Sequence, residues 1–326
     1  MKAAVTGASG HIGNCLVREL KNRGFEVRAL VHTFKKGLEN LGIEILQGDL
    51  SDFESLEKLC KGVDVVFHLA ARITIDNRKA ELTRRINITG TKNLLSAAKK
   101  AGVKKFIHFS SIHAHNVHPI NEVLDENRPL TRSRKTIYEY TKAESERLVQ
   151  KFVNEGMDAV ILNPTAVIGP YNFNNSLLRQ GLRMIYNNKL PMLVPGGYNW
   201  VDVRDVVAAS ISAVEKGRKG EKYILSGHYC TLKKLSALVG KVSLKKTPSM
   251  VIPASLARLA CPFIRIYSRL TKNNPLYTVQ SLDIIANCPE KISFEKARKE
   301  LNYSPRPLEQ TISDTFNWYI ENGFLK

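Results

Sequence analysis

Short runs of Val, Ile, Leu and Ala alternate with helix-patterned segments through the first half of this chain, and few folds accept that order. KAAVTG, EVRALVH, GIEILQGD, VDVVFHLA, KKFIHFSS and DAVILNPTAVIG read as strands. They are too continuously apolar for a sheet with one wet face, so both faces must be covered. Between them, HIGNCLVRELKNRG carries Ile12, Leu16, Val17 and Leu20 at helical spacing. DFESLEKLCKG follows the capping candidates Ser51 and Asp52. LTRRINITGTKNLLSAAKKAG and YEYTKAESERLVQKFVNEG complete the helical set. Parallel strands joined by right-handed helical crossovers give an α/β fold with a doubly wound parallel sheet, the Rossmann arrangement.

After about residue 165 the pattern changes. Helical segments dominate, over 174–188, 203–217, 231–240, 253–271, 276–287 and 307–322, interrupted by LPMLVPGG and EKYILSG. The expected division is a dinucleotide-binding unit over 1–165 and a smaller, mainly helical substrate lobe over 166–326, some of whose segments return to the main sheet. Such a lobe sits at the carboxyl ends of the strands, where open α/β sheets bind ligands. The apolar stretch 250–270 is broken by Arg258, Arg265 and two prolines, short of the roughly 20 uninterrupted apolar residues a span needs. A core or pocket helix is expected there, with contact at a membrane surface the lesser reading.

Lys and Arg number 49 against 30 Asp and Glu, a formal charge of +19. That balance attracts an anionic cofactor or substrate, or serves solubility. The lysines are dispersed as pairs (Lys35-Lys36, Lys99-Lys100, Lys104-Lys105, Lys245-Lys246) with no nucleic-acid-binding module beside them, so no nucleic-acid partner is expected. The N-terminus has no run resembling a signal peptide. Five scattered cysteines form no CxxC pair, which argues against disulfides and a zinc knuckle and points to a cytoplasmic, reducing setting.

TGASGHIG follows a strand and opens a helix, placing Gly7, Ser9, Gly10, His11, Ile12 and Gly13 in a tight turn. Only such a turn lets backbone amides approach a pyrophosphate at a helix N-terminus. An NAD site usually has Asp or Glu about 20 residues on, for the ribose 2′-hydroxyl. Here RALVHTFKKG supplies no acid, and Arg28, His32, Lys35 and Lys36 could instead neutralise a 2′-phosphate. NADP(H) is therefore favoured, with NAD(H) the alternative. In GDL, Asp49 ends the third strand, where it could accept from the adenine amino group, and Leu50 follows. Leu69, Ala70 and Ala71 end the fourth strand with the small residues that backbone passing beneath a cofactor requires.

In TIYEYTKAESER, Tyr138 and Lys142 lie four apart and share a helix face, whereas Tyr140 points roughly 200° away and reads as a packing residue. A tyrosine with a pKa near 10 exchanges protons poorly near neutrality. A neighbouring ammonium would bring the phenol toward working pH, as acid–base catalysis needs. Ser110 and Ser111 end the fifth strand at the carboxyl edge of the sheet. Together TGASGHIG, VRALV, GDL, VFHLAA, NITGTKNLL, FSS, YEYTKAESE, NPTAVIGP and NWVDVRDVV resemble the extended short-chain dehydrogenase/reductases, on the branch similar to dihydroflavonol 4-reductases and 3β-hydroxysteroid dehydrogenases. The resemblance implies that Ser111 binds the carbonyl, Tyr138 is the acid/base, Lys142 activates it and holds the nicotinamide ribose, and Asn87 supports the catalytic set. It further implies that backbone from Pro164 to Val167 meets the carboxamide, and that the protein forms a homodimer.

Two features depart from that branch: His32 stands where arginine is frequent, and the loop IHAHNVHPI is rich in histidine. His113, His115 and His118 lack an acidic or cysteine ligand, so a loop bordering the substrate pocket is expected and no metal site. The leading expectation is an NADP(H)-dependent oxidoreductase interconverting a carbonyl and a secondary alcohol on a fairly apolar small molecule. The alternatives are a nucleotide-sugar epimerase or dehydratase using NAD, and a non-catalytic dinucleotide sensor.

Overall fold

The computed structural model describes residues 1–325 except 34–35, 75–76, 78, 191 and 272–276, with the side chains of 263–271 also outside the description. In its first half, β1 (Lys2–Thr6), α1 (His11–Asn22), β2 (Glu26–Val31), β3 (Glu44–Gln47), α2 (Phe53–Cys60) and β4 (Val65–His68) follow in order. A long helix comes next, built from α3 (Ala80–Arg84), one wide π-helical turn (Arg85–Thr89) and α4 (Gly90–Lys100). Then come β5 (Lys105–Phe109), α5 (Ile137–Asn154) and β6 (Ala159–Pro164). The second half supplies β7 (Ala166–Ile168), α6 (Leu177–Tyr186), β8 (Gly197–Asp202), α7 (Val203–Lys216), β9 (Lys222–Leu225) and β10 (His228–Thr231). It ends with α8 (Leu232–Ser243), α9 (Ala254–Thr271), α10 (Val279–Ala286), α11 (Glu295–Leu301) and α12 (Leu308–Glu321).

Seven strands form one parallel sheet in the order β3-β2-β1-β4-β5-β6-β9. The chain starts in the middle and winds outward both ways, which opens a crevice at the carboxyl end between β1 and β4. One face carries an apolar cluster joining Leu16, Val17 and Leu20 of α1 to Val206 and Val207 of α7 and Leu301 of α11. The other is covered by Leu56 and Leu59 of α2, Leu94 and Leu95 of α4, and Val149 and Phe152 of α5. Burial on both faces is why the inner strands could be read from unbroken apolar runs; the edge strand β3 is largely exposed. Asp52 caps α2 by accepting from the backbone N–H groups of Glu54 and Ser55, as its position implied.

Two strand assignments need correction. DAVILNPTAVIG is not a single strand: β6 ends at Pro164, and residues 166–168 leave to pair with β8 in a second sheet, ordered β10-β8-β7. Proline has no N–H to extend the first ladder, so the chain changes partners there. EKYILSG, read as an interruption in the lobe, supplies β9, the outermost strand of the main sheet. The three-stranded sheet and α11 were not foreseen; their runs of three to seven residues are too short to carry a period. Around that sheet the lobe builds its own core from Leu182, Ile185, Leu193, Leu235, Ile285 and Phe316.

Candidate functional site

The turn after β1 is shaped by contacts that only glycine permits. Gly7 has φ 72°, and a Cβ there would lie 2.6 Å from the backbone nitrogen of Ala70. A Cβ on Gly13 would lie 2.2 Å from the Gly7 carbonyl oxygen, so the first turn of α1 rests directly on the turn before it. Gly10 caps α1 without a side chain, leaving amides at the positive end of the helix. This bare N-terminus fits a dinucleotide pyrophosphate. Thr6, which sequence reasoning missed, fixes the turn: its Oγ1 lies 2.8 Å from Nδ1 of buried His68 and accepts from the Ala70 N–H at 3.3 Å. From the other lobe, Asn174 Nδ2 donates to the Ser9 carbonyl at 2.9 Å, and His11 Nε2 lies 2.9 Å from the Pro170 carbonyl.

A continuous cleft of about 1650 Å3 runs from this turn, over the carboxyl ends of the strands, into the second lobe. It exceeds the roughly 300–1,000 Å3 of a site for one small ligand, so a cofactor and a substrate both have room. Of the described residues singled out for cofactor or chemistry, all line it except Arg28, Lys36 and Asn87. At the adenosine end, His32 lies 3.8 Å from the Asp49 carboxylate. Asp49 also accepts from the backbone N–H and hydroxyl of Ser51, which hold its carboxyl below the usual range. Arg28 is a correction: it lies within β2, paired with Glu44 at 2.8 Å, and donates to the carbonyls of Lys58, Leu59 and Lys61. Those partners hold it beside the C-terminus of α2, four residues before His32, which lines the cleft. The Lys36 ammonium lies over the Phe324 ring at 5.3 Å, and Lys35 lies outside the described residues.

Ser111, Tyr138 and Lys142 all line the cleft. Lys142 is buried and donates from Nζ to the Phe109 carbonyl at 2.8 Å. Burial draws its pKa down to about 8, against the upward pull of Glu146. The phenol of Tyr138 is held above its ordinary value by burial, and a hydrogen bond with Ser111 opposes the rise. The Lys142 ammonium reaches back to the end of β5. The His113 ring meets Tyr138 edge-on at 6.3 Å and lies 3.8 Å from Glu139. Tyr140 lies outside this lining, between the Arg84 and Arg134 guanidiniums at 5.7 and 5.2 Å. His113, His115 and His118 all border the cleft, and no group of three or more His, Cys, Asp or Glu among the described residues could hold a metal.

Asn87 sits in the π-helical turn, buried behind the cleft. Its Nδ2 donates to the Arg72 carbonyl at 3.1 Å and to Thr141 Oγ1 at 3.0 Å, while Oδ1 accepts from the Arg72 N–H at 2.7 Å. It therefore ties the end of β4 to α5. Sequence reading also passed over Glu146, one turn beyond Lys142 and 1% exposed. Asn163 Nδ2 donates to it at 2.6 Å, and burial raises its pKa. The available signal was an acid four residues after Lys142 on a face that packs inward.

Beyond Tyr138 the wall is formed by Leu178 and Leu182 of α6, Tyr198 and Trp200 of β8, Leu235 of α8 and Ile284 of α10. Among the described residues from Pro164 onward, none that lines the cleft is Lys or Arg.

The model of the NAD dependent epimerase/dehydratase family matches residues 3–226. The chain is 30% identical over 331 residues to Sterol demethylase protein B of Methylococcus capsulatus, covering 100% of both chains. It is 28% identical over 317 residues to the 4-hydroxy-2-methyl-3-oxo-4-farnesyl-3,4-dihydroquinoline-1-oxide ketoreductase of Stigmatella aurantiaca, covering 95% of this chain and 94% of that one. Among solved structures it resembles gox2253, with a TM-score of 0.86, 31% identity and 99% of each chain covered.

Proposed function

Because this chain belongs to the NAD dependent epimerase/dehydratase family, we propose that it is a reductase that converts a carbonyl on a bulky, apolar small molecule to a secondary alcohol, with NADP(H) the preferred cofactor. The observation that carries this reading is the position of Ser111, Tyr138 and Lys142, between a glycine cradle on one side and a wall of Leu, Ile and aromatic side chains on the other. The reduced nicotinamide supplies the hydride when bound. Ser111 donates a hydrogen bond to the substrate oxygen and holds it toward Tyr138. The phenol gives its proton to that oxygen as the carbonyl carbon becomes tetrahedral, and the Lys142 ammonium stabilises the phenolate left behind. The side chains of the lobe keep water from the reacting carbon.

The absence of Lys and Arg from the described lobe wall supports an uncharged substrate over a nucleotide sugar, whose diphosphate would meet no cation on that wall. The lack of an acid after β2 supports NADP(H). An intact Tyr138–Lys142 pair argues against a non-catalytic sensor. The test is a screen of ketones, aldehydes, sterols and nucleotide sugars that follows NADPH absorbance. Turnover of apolar carbonyls is expected; turnover of nucleotide sugars alone, with NAD, would overturn the proposal. Tyr138→Phe should cost roughly 10²–10⁴ in rate with NADPH affinity, read by fluorescence, unchanged. Retained activity would remove Tyr138 from its role.

A further inference from the structure

Between Glu221 and Asp283 the sequence has no acidic residue and ten Lys or Arg. The same stretch carries six of the large apolar side chains that the described structure leaves exposed: Leu244, Met250, Val251, Leu256, Leu259 and Val279. Leu256 and Leu259 lie three apart on one face of α9, at 54% and 71% exposure, while Ala257 and Cys261 on the opposite face are buried in the lobe core. Leu244 ends α8 with φ 53° and is 93% exposed. A leucine in the left-handed region takes on a backbone cost that glycine or asparagine would avoid, and here the described residues leave its side chain almost wholly uncovered.

Contacts join the segments that carry Val251, Leu256, Leu259 and Val279. Val251 pairs with Leu193, α9 packs on α10, and Arg258 of α9 bridges to Asp283 of α10 at 2.6 Å. Arg258 and Lys241 are matched by Asp283 and Glu309; Lys245 and Lys246 make no ion pair among the described residues, although the Lys245 ammonium lies over the Tyr186 ring at 4.0 Å. The inner edge of α10, through Gln280, Ile284 and Ile285, lines the cleft. Its outer edge carries Val279.

We propose that this side of the lobe docks on the surface of an anionic lipid bilayer, leucines entering the acyl boundary and lysines meeting the headgroups, with the wall of the substrate cleft held against the membrane. Exposed leucines interleaved with uncompensated lysines fit an interface that is apolar in depth and negative at its rim. A charge of +19 would bring the whole molecule toward it. No helix among the described residues is long and apolar enough to cross a membrane, so contact at the surface is the mode available to this face. It would place the cleft beside the phase in which an apolar substrate concentrates.

The test is co-sedimentation of the full chain with vesicles of phosphatidylglycerol and phosphatidylcholine, compared with phosphatidylcholine alone. Binding to the anionic vesicles is expected, weakening as salt rises. Lys245→Gln/Lys246→Gln should reduce it by about thirty-fold, at the cost of two lysine–headgroup contacts. Leu256→Ser/Leu259→Ser should reduce it by roughly tenfold or more. Both pairs are exposed and neither lines the cleft, so reduction of a water-soluble ketone should persist. No sedimentation of the parent protein at low salt would overturn the proposal, as would equal binding by both variants. So would a dimer that dissociates in the Leu256/Leu259 variant without vesicle binding, since a second copy would then cover the face. Vesicle binding needs no turnover, so this outcome is independent of the reductase assignment.

Discussion

Lys142 carries two opposed influences: burial favours its neutral form, and the carboxylate of Glu146 favours the ammonium. The ammonium is the form that stabilises a phenolate on Tyr138. It is present below a pKa of about 8 and is lost as pH rises through that value. Carbonyl reduction should therefore fall on the alkaline side from near pH 8, read from initial rates at saturating cofactor. In Glu146→Gln the upward pull disappears, the lysine deprotonates earlier, and the alkaline limb should move to lower pH. A limb left in place would show that Glu146 does not act on Lys142. Glu146→Asp, which keeps the charge, should restore part of the profile. A second test at this scale concerns the cofactor. His32 faces Asp49 at the adenosine end, so His32→Asp should shift preference from NADPH toward NADH by roughly tenfold, about 1.4 kcal/mol. Titration of each nucleotide by fluorescence reads that shift. The residue types needed for chemistry were legible in the sequence because helical spacing alone pairs Tyr138 with Lys142. Their electrostatics were not, because burial is the largest influence on both groups and belongs to the assembled cleft.

At the scale of elements, the turn between β1 and α1 is set by backbone contact. Gly13→Ala would drive a Cβ against the Gly7 carbonyl and the Ala8 Cα, neither of which can yield as a side-chain tip would. It should cost about 1–3 kcal/mol and weaken dinucleotide binding, read together by denaturant melts and NADPH titration. Unchanged affinity would mean that the cradle tolerates a displaced helix. The main strands were readable because parallel strands buried on both faces are unbroken apolar runs. The exchange of partners at Pro164 was not, since TAVI is as apolar as the strand before it and only the second ladder, to Trp200, Val201 and Asp202, distinguishes them. The π-helical turn at Asn87 was likewise silent: one extra residue in a helix leaves no compositional mark, yet it positions Asn87 to hold Arg72 and Thr141 together.

At the scale of the whole molecule, one cleft spans both halves of the chain, and contacts such as Asn174 to Ser9 and His11 to Pro170 link the lobe to the glycine turn. A cofactor bound there should stabilise both halves together. At one hundred times its Kd it adds about 2.7 kcal/mol, so a single thermal transition should move upward, further with NADPH than with NADH at equal concentration. Two transitions, of which only one moves, would mean that the halves unfold separately. The sequence by itself determined the doubly wound sheet, the glycine turn, the helix face shared by Tyr138 and Lys142, and the family, because each rests on a local period or motif that the chain expresses before it folds. Only the tertiary structure decided that Arg28 is engaged by the carbonyls at the end of α2, that Glu146 lies buried near Lys142, and that the cleft wall from Pro164 onward lacks Lys and Arg among its described residues while Leu244, Leu256 and Leu259 stay exposed. Those are relations between residues far apart in the chain, and their energies come from burial and proximity, which exist once the chain has packed.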